Sequence, residues 1–408
     1  MNLLLKHSSV HSTALIKLTG SKSETNRLLL LQALYPNLTL ENPSNSDDSE
    51  VMLKALVTNQ DVIDIHHAGT AMRFLTAYFA IQEGREVVLT GSSRMKERPI
   101  QILVEALQQV GADITYEEQV DFPPIRIKGK KLVLSKVSLA ANVSSQYISA
   151  LLLIAPKLDN GLELTLEGKI TSVPYIKMTL ALLNEIGVET SFIENRIIVQ
   201  PQHTIQNSKF TIESDWSSAS YFYSIVALSK VGTQIELSSY KVKSLQGDSI
   251  LADIYKVFGV ETKFQNNSII IRKIEHTKSA SIHLYLNDSP DIAQTIAVTC
   301  FGLGLGCDIK GLHTLKIKET DRLLAMQNEL QKLGAPITVT DDSLTLEPSD
   351  CINTGVAVKT YQDHRMAMAF APLALKTSIA IEDAEVVSKS YPPFWEDLKH
   401  IGFQISEH

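Results

Sequence analysis

Six stretches of this chain are apolar almost all the way round a helical turn, and each opens with small, polar or charged residues. They run at about 22 to 34 (KSETNRLLLLQAL), 69 to 81 (GTAMRFLTAYFAI), 144 to 155 (SSQYISALLLIA), 215 to 229 (DWSSASYFYSIVALS), 290 to 302 (PDIAQTIAVTCFG) and 363 to 375 (DHRMAMAFAPLAL). A helix with no polar face must be surrounded by other elements. Each of the six is followed by a more amphipathic helix, near 47 to 57, 97 to 110, 174 to 186, 248 to 258, 320 to 333 and 393 to 401, read from the 3.6-residue spacing of apolar positions. Successive apolar helices start about 71 to 75 residues apart, except the first two at about 47, and a fixed period of that kind marks one supersecondary unit repeated.

After four of the amphipathic helices comes a glycine stop, at Gly111, Gly187, Gly259 and Gly334, and then two short alternating strands joined by a turn, the pattern of a helix C-cap followed by a hairpin. VETKFQNNSIIIRK after Gly259 and VETSFIENRIIVQ after Gly187 are near copies. The first unit lacks the hairpin: between Leu56 and His67 there is no glycine stop and room for one strand. The helix before Gly402 is expected to end the chain, so the last unit's closing strand is expected from residues 1 to 19. Three buried helices per globule, wrapped by amphipathic helices and small sheets, predict two globules, 21–213 and 1–20 plus 214–408. Function belongs where the polar helix starts converge.

A net charge of −7 over 408 residues gives no general attraction for nucleic acid or an anionic membrane surface, so anion binding must be local. Five of the ten arginines, Arg27, Arg73, Arg98, Arg322 and Arg365, sit in helix-start segments or in the Lys96–Pro99 stretch. Lys318-Glu319-Thr320-Asp321-Arg322 is expected at a helix N-terminus, where unpaired N–H groups and the helix dipole favour an anion. There Lys318 and Arg322, four apart, are expected to share one face. Cys300, Cys307 and Cys351 are odd in number and lack metal-ligand spacing, so they read as reduced thiols. MNLLLKHSSVHS is too short and interrupted for a secretory leader, and no run approaches a membrane span. There is no Walker loop, GxGxxG or HExxH.

Gly20-Ser21-Lys22-Ser23-Glu24-Thr25-Asn26-Arg27, Ala68 to Arg73, Arg94 to Ile100, Ser144-Ser145-Gln146, Lys318 to Arg322 and Asp363 to Met368 together resemble the 5-enolpyruvylshikimate-3-phosphate synthase family, in order along nearly the whole chain. The resemblance implies an α/β fold, an inside-out barrel of two domains, each of three βαβαββ repeats with the first truncated here, and an active site in the interdomain cleft. It implies transfer of the enolpyruvyl group of phosphoenolpyruvate to the 5-hydroxyl of shikimate 3-phosphate with release of phosphate, by a cytoplasmic monomer that glyphosate targets. No cofactor or metal is implied, since cationic side chains supply the electrostatic stabilisation. Lys22, Ser23, Arg27, Ser144, Ser145, Gln146, Ser172, Tyr175, Asp291, Thr314 and Lys318 would hold shikimate 3-phosphate. Lys22, His67, Gly69, Arg98, Gln146, Arg322, Arg365 and Lys389 would hold phosphoenolpyruvate.

The chemistry calls for these residue types. Both substrates carry phosphate and carboxylate, which Arg binds in bidentate fashion. The addition and elimination need an acid and a base, and Asp291, Glu319 and Lys22 are the expected proton carriers, Asp291 toward the 5-hydroxyl. Ser144 and Ser145 also suit a helix cap, and Arg73, one turn inside a buried helix, is expected to brace the two domains' walls. His67 and Thr314 stand where the family usually has Asn, and are expected to alter donor and acceptor affinity. The sister family acting on UDP-N-acetylglucosamine carries a cysteine before an Ala-Arg-Pro stretch, whereas Gly91 to Glu97 has none. A non-catalytic anion-binding protein of the same fold would not need both Asp291 and Glu319.

Overall fold

A computed structural model describes residues 1–140, 144–168, 170–275 and 281–407. The chain divides into two compact units, Ser21–Ile212 and Met1–Gly20 with Glu213–His408. In the first, the buried helices Lys22–Leu34, Gly69–Ala80 and Ser145–Ile154 pack on one another. In the second, Ala293–Leu303 packs against both Trp216–Leu228 and His364–Phe370. Leu28, Leu30, Phe74 and Ile148 line one core, and Phe222, Ile296 and Phe370 the other, all fully buried. Their all-round apolar surface leaves no solvated face to present, so they become the centre and the amphipathic helices the wrapping.

Four sheets share one construction, in which the strands before and after a buried helix run parallel and a hairpin then adds two antiparallel strands. Val62–Asp64 pairs parallel with Glu86–Thr90, which pairs antiparallel with Ile125–Lys128, and that with Asp113–Tyr116. The hairpins after Gly187 and Gly259 form as the spacing predicts. In the second of them Asn266 and Asn267 both take positive φ, 50° and 59°, as a two-residue hairpin turn of the primed kind requires. Gly187 and Gly334, at φ 92° and 94°, end their helices in the left-handed conformation that glycine adopts without steric cost. The truncated first unit leaves Leu38–Glu41 with one partner, Ser208–Thr211, in a two-stranded parallel sheet.

Both chain ends close the last sheet. Leu3–Leu5 lies between Ile379–Ile381 and Ile405–Glu407, so the borrowed strand does come from residues 1 to 19. The chain does not end at the helix before Gly402, however: Gly402 turns it, at φ 115°, into the strand Ile405–Glu407. Thr13–Ile16 opens the neighbouring sheet beside Gln234–Ser238.

Some helix boundaries differ from the periodicity. The helix expected from 97 begins at Gln101, after a separate turn at Ser93–Lys96, because Pro99 disfavours helical geometry at the residue before it. The helix Arg322–Lys332 starts with Asp321 as N-cap. Lys318 to Thr320 therefore lie outside it, and Lys318 and Arg322 do not share a helix face. Helix His364–Phe370 passes into 3-10 geometry at Ala371–Leu375, since Pro372 has no N–H and crowds the preceding turn. The element near 248 to 258 is a broken run, Gly247–Ile250, Leu251–Ile254 and Tyr255–Phe258.

Candidate active site

In the Ser21–Ile212 unit, polar groups gather at the starts of the buried helices. Lys22, the first residue of its helix after the N-cap Ser21, places Nζ 3.3 Å from Asp48 Oδ2, and His67 Nε2 lies 4.0 Å from the other oxygen of Asp48. Gly69 opens the next helix with the Arg98 guanidinium against it, so that a Cβ at residue 69 would lie 2.6 Å from Arg98 Nη1. A larger residue there would push the guanidinium aside. Gln146 donates to Thr70 Oγ1 at 3.1 Å, and Ser144 caps its helix by accepting from the Gln146 amide. Ser172, at φ 54°, precedes the helix Val173–Glu185 without a side-chain cap bond. For a serine that backbone geometry costs energy.

Arg27 is buried one turn further along. It donates to Thr179 Oγ1 at 2.8 Å, Ser149 Oγ at 2.9 Å and the Ser23 carbonyl at 2.8 Å, and it lies over the Phe74 ring. Burial pulls its pKa down to about 10, which leaves it charged at neutral pH. Arg73 donates to the carbonyls of Gly69 and Pro99 and lies over the Tyr147 ring, whose hydroxyl also donates to Pro99. These contacts lie within its own unit: a cation inside a buried helix takes the nearest carbonyls, and here these fix the loop that carries Arg98.

The other unit holds a denser constellation. Arg322 is 2 % exposed and meets three carboxylates: Nε donates to Asp363 Oδ2 at 2.6 Å, Nη1 to Asp291 Oδ1 at 2.9 Å and Nη2 to Glu319 Oε2 at 2.8 Å. Lys318 Nζ lies 3.5 Å from Asp291 Oδ1. Arg365 donates from Nη2 to Asp291 Oδ2 and Ser217 Oγ, each at 3.3 Å, and from Nη1 to the Asp291 carbonyl. Asp363 also caps the helix of Arg365, accepting from that residue's amide at 2.8 Å. Lys389 reaches the Gln362 carbonyl at 3.1 Å, and Thr314 has a buried hydroxyl with no partner among the described residues.

Electrostatics follow from this packing. Burial alone would push Asp291 up, but Arg365, Lys318 and Arg322 outweigh it and hold the carboxyl well below the usual carboxylate range. Burial likewise opposes charge on Arg322, and Asp363, Glu319 and Asp291 override it, raising its pKa. Asp48, Ser217 and Thr179 were not singled out by sequence, and Asp363 entered there only as part of the Asp363 to Met368 segment. Among the described residues no group of three or more His, Cys, Asp or Glu side chains is placed to hold a metal ion. No described helix is long and apolar enough to cross a membrane.

Buried helix starts gather guanidinium, ammonium and carboxylate groups in units of repeated α/β construction. The chain belongs to the EPSP synthase (3-phosphoshikimate 1-carboxyvinyltransferase) family, whose model matches residues 55–398. It is 46% identical over 399 residues to the 3-phosphoshikimate 1-carboxyvinyltransferase of Bacteroides fragilis strain YCH46, with 96% of each chain covered. It is 38% identical over 423 aligned positions to that of Proteus mirabilis, covering 96% of this chain and 97% of the relative. The solved EPSP synthase from Acinetobacter baumannii superposes with a TM-score of 0.82 over 100% of both chains at 20% identity, which speaks for the fold.

Proposed function

We propose that this chain transfers the enolpyruvyl group of phosphoenolpyruvate to the 5-hydroxyl of shikimate 3-phosphate and releases phosphate, working as a cytoplasmic monomer without a cofactor. The observation that carries the reading is the Arg322 constellation, in which Lys318, Arg322 and Arg365 are matched by Asp291, Glu319 and Asp363. Without substrate the charges balance. When an anionic donor takes over guanidinium hydrogen bonds from Arg322 and Arg365, the carboxylates lose partners that favoured their ionised form, and their proton affinity rises. Donor binding thus turns Asp291 and Glu319 from ion-pair partners into proton carriers.

In this reading Asp291 accepts the proton of the attacking 5-hydroxyl, while Glu319 and Lys22 serve the proton steps at the donor carbon. Arg98, Arg322, Arg365, Lys389, His67, Gly69 and Gln146 hold the donor, and Lys22 bridges both substrates. Ser23, Arg27, Ser144, Ser145, Gln146, Ser172, Tyr175, Thr314 and Lys318 hold shikimate 3-phosphate. Arg27 already has four side-chain and carbonyl acceptors, so it contributes a fixed positive charge and any remaining N–H. One reaction draws on both units. The test is phosphate release from phosphoenolpyruvate with shikimate 3-phosphate or UDP-N-acetylglucosamine as acceptor. Release with the first alone is expected; release with the second alone, or with neither, overturns the reading.

A further inference from the structure

Behind Asp291 lies a second carboxyl that the reaction above does not use. Asp248, at the start of the 3-10 turn Gly247–Ile250, is 3 % exposed. Its Oδ2 accepts from the Ser217 hydroxyl, and its Oδ1 is buried with no partner among the described residues. The same Ser217 oxygen accepts from Arg365 Nη2, which also reaches Asp291 Oδ2. A chain of contacts therefore runs Asp248, Ser217, Arg365, Asp291. It rests on four elements: the 3-10 turn, the first turn of Trp216–Leu228, the helix His364–Phe370 and the turn Pro290–Ile292. An ionised carboxylate with one bare oxygen in a dry setting is costly, so this position favours an acid that keeps its proton.

We propose that Asp248 is a positioning residue that sets, through Ser217 and Arg365, how strongly the site attracts its anionic donor, weakening that attraction when it ionises. The inference rests on the reading of the reaction given above. The charged groups facing Asp248 from the packed elements are Asp291 and Asp215, which disfavour its ionisation, and Arg365, which favours it. The following turn adds only Asp253, exposed and paired with Lys256. Burial, then Asp291, push the Asp248 carboxyl up to about 7, with Arg365 and Ser217 opposing. Below that pH a neutral acid leaves Arg365 shared between Asp291 and the donor. Above it a new negative charge sits one hydroxyl away from Arg365 and repels the donor.

The experiment compares wild type, Asp248→Asn and Ser217→Ala across about pH 6 to 8.5, reading KM for phosphoenolpyruvate and melting temperature. The asparagine stays neutral, so the ratio of wild-type to variant KM cancels the donor's own titration. That ratio should rise about fivefold or more with pH, the scale of one added charge in a partly solvated site. Ser217→Ala removes a hydrogen bond that favours the ionised acid, so its rise in KM should move to higher pH. The sign for stability is independent of activity. A carboxyl whose folded pKa is raised contributes stability in full below about pH 4, and that contribution is lost as pH rises through about 7. The melting temperature of wild type minus that of Asp248→Asn should therefore fall between about pH 5 and 8. A flat KM ratio overturns the proposal even where the melting difference falls, as does an unshifted Ser217→Ala profile if Asp248→Asn fails to fold. If wild type releases no phosphate with shikimate 3-phosphate, the reaction reading fails and the proposal with it, whereas the melting difference still reports the ionisation of Asp248.

Discussion

Arg322 meets three carboxylates at once, which makes the acids beside it more than ballast for its charge. Asp291→Asn and Glu319→Gln preserve size while removing the titrating group, so turnover should fall by roughly 10² to 10⁴, with shikimate 3-phosphate binding retained. Calorimetry showing lost binding in a folded variant would make them binding residues instead. In the Ser21–Ile212 unit, Lys22→Ala and Arg98→Ala should each raise the barrier by about 2 to 4 kcal/mol, as for loss of one well-placed electrostatic donor. Their melting temperatures should barely move, because neither side chain belongs to a core. Kinetics within about threefold of wild type for both would remove them from the site. These residues were legible mainly through the resemblance of the segments that carry them, to which the concentration of arginines in those segments adds. Asp48 and Asp248 were not, nor was the role of Asp363, because an acid in the first turn or at the cap of a helix is what the dipole alone would select. Nothing in the spacing tells that Asp48 faces Lys22 or that Asp363 faces Arg322.

At the scale of elements, the pairing of one buried with one amphipathic helix could be read from periodicity, and the hairpins after Gly187 and Gly259 from their near-identical sequences. The boundary at Lys318 could not. A run of charged residues before an apolar stretch fits either the first turn or the approach to it, and the cap geometry of Asp321 decides for the approach. That cap has a functional consequence, since Arg322 is the first residue of the helix and its backbone direction depends on where the helix begins. Asp321 accepts from the Leu324 amide at 3.1 Å. Asp321→Ala should cost about 1 kcal/mol of stability, the usual loss for a side-chain N-cap, and should lower turnover several-fold by loosening Arg322 and Glu319. Asp321→Asn keeps the hydrogen bond and should recover most of both. If alanine and asparagine behave alike in chemical denaturation and in turnover, the cap has no part in placing Arg322.

On the scale of the whole molecule, a net charge of −7 coexists with cations concentrated in two places, one in each unit. Sequence showed the repeat and placed the last sheet's borrowed strand within residues 1 to 19, but not at which of them nor the strand at the other chain end, because a three-residue strand such as Leu3–Leu5 carries no periodicity long enough to read. It becomes a strand only by fitting between Ile379–Ile381 and Ile405–Glu407. Assigning one reaction to residues of both units has a consequence that amide hydrogen exchange can check. Shikimate 3-phosphate alone should slow exchange at the starts of Lys22–Leu34, Ser145–Ile154 and Val173–Glu185 and over Thr314 to Lys318. Adding phosphoenolpyruvate, or an unreactive analogue, should extend protection to the first turns carrying Gly69, Arg322 and Arg365. At about a hundred times the dissociation constant, linkage gives roughly 2.7 kcal/mol, about a hundredfold in rate for amides that exchange only through opening of the bound site. Protection confined to one unit with both ligands saturating would mean that the other unit's cations serve a different ligand, and the shared-reaction assignment would have to be given up.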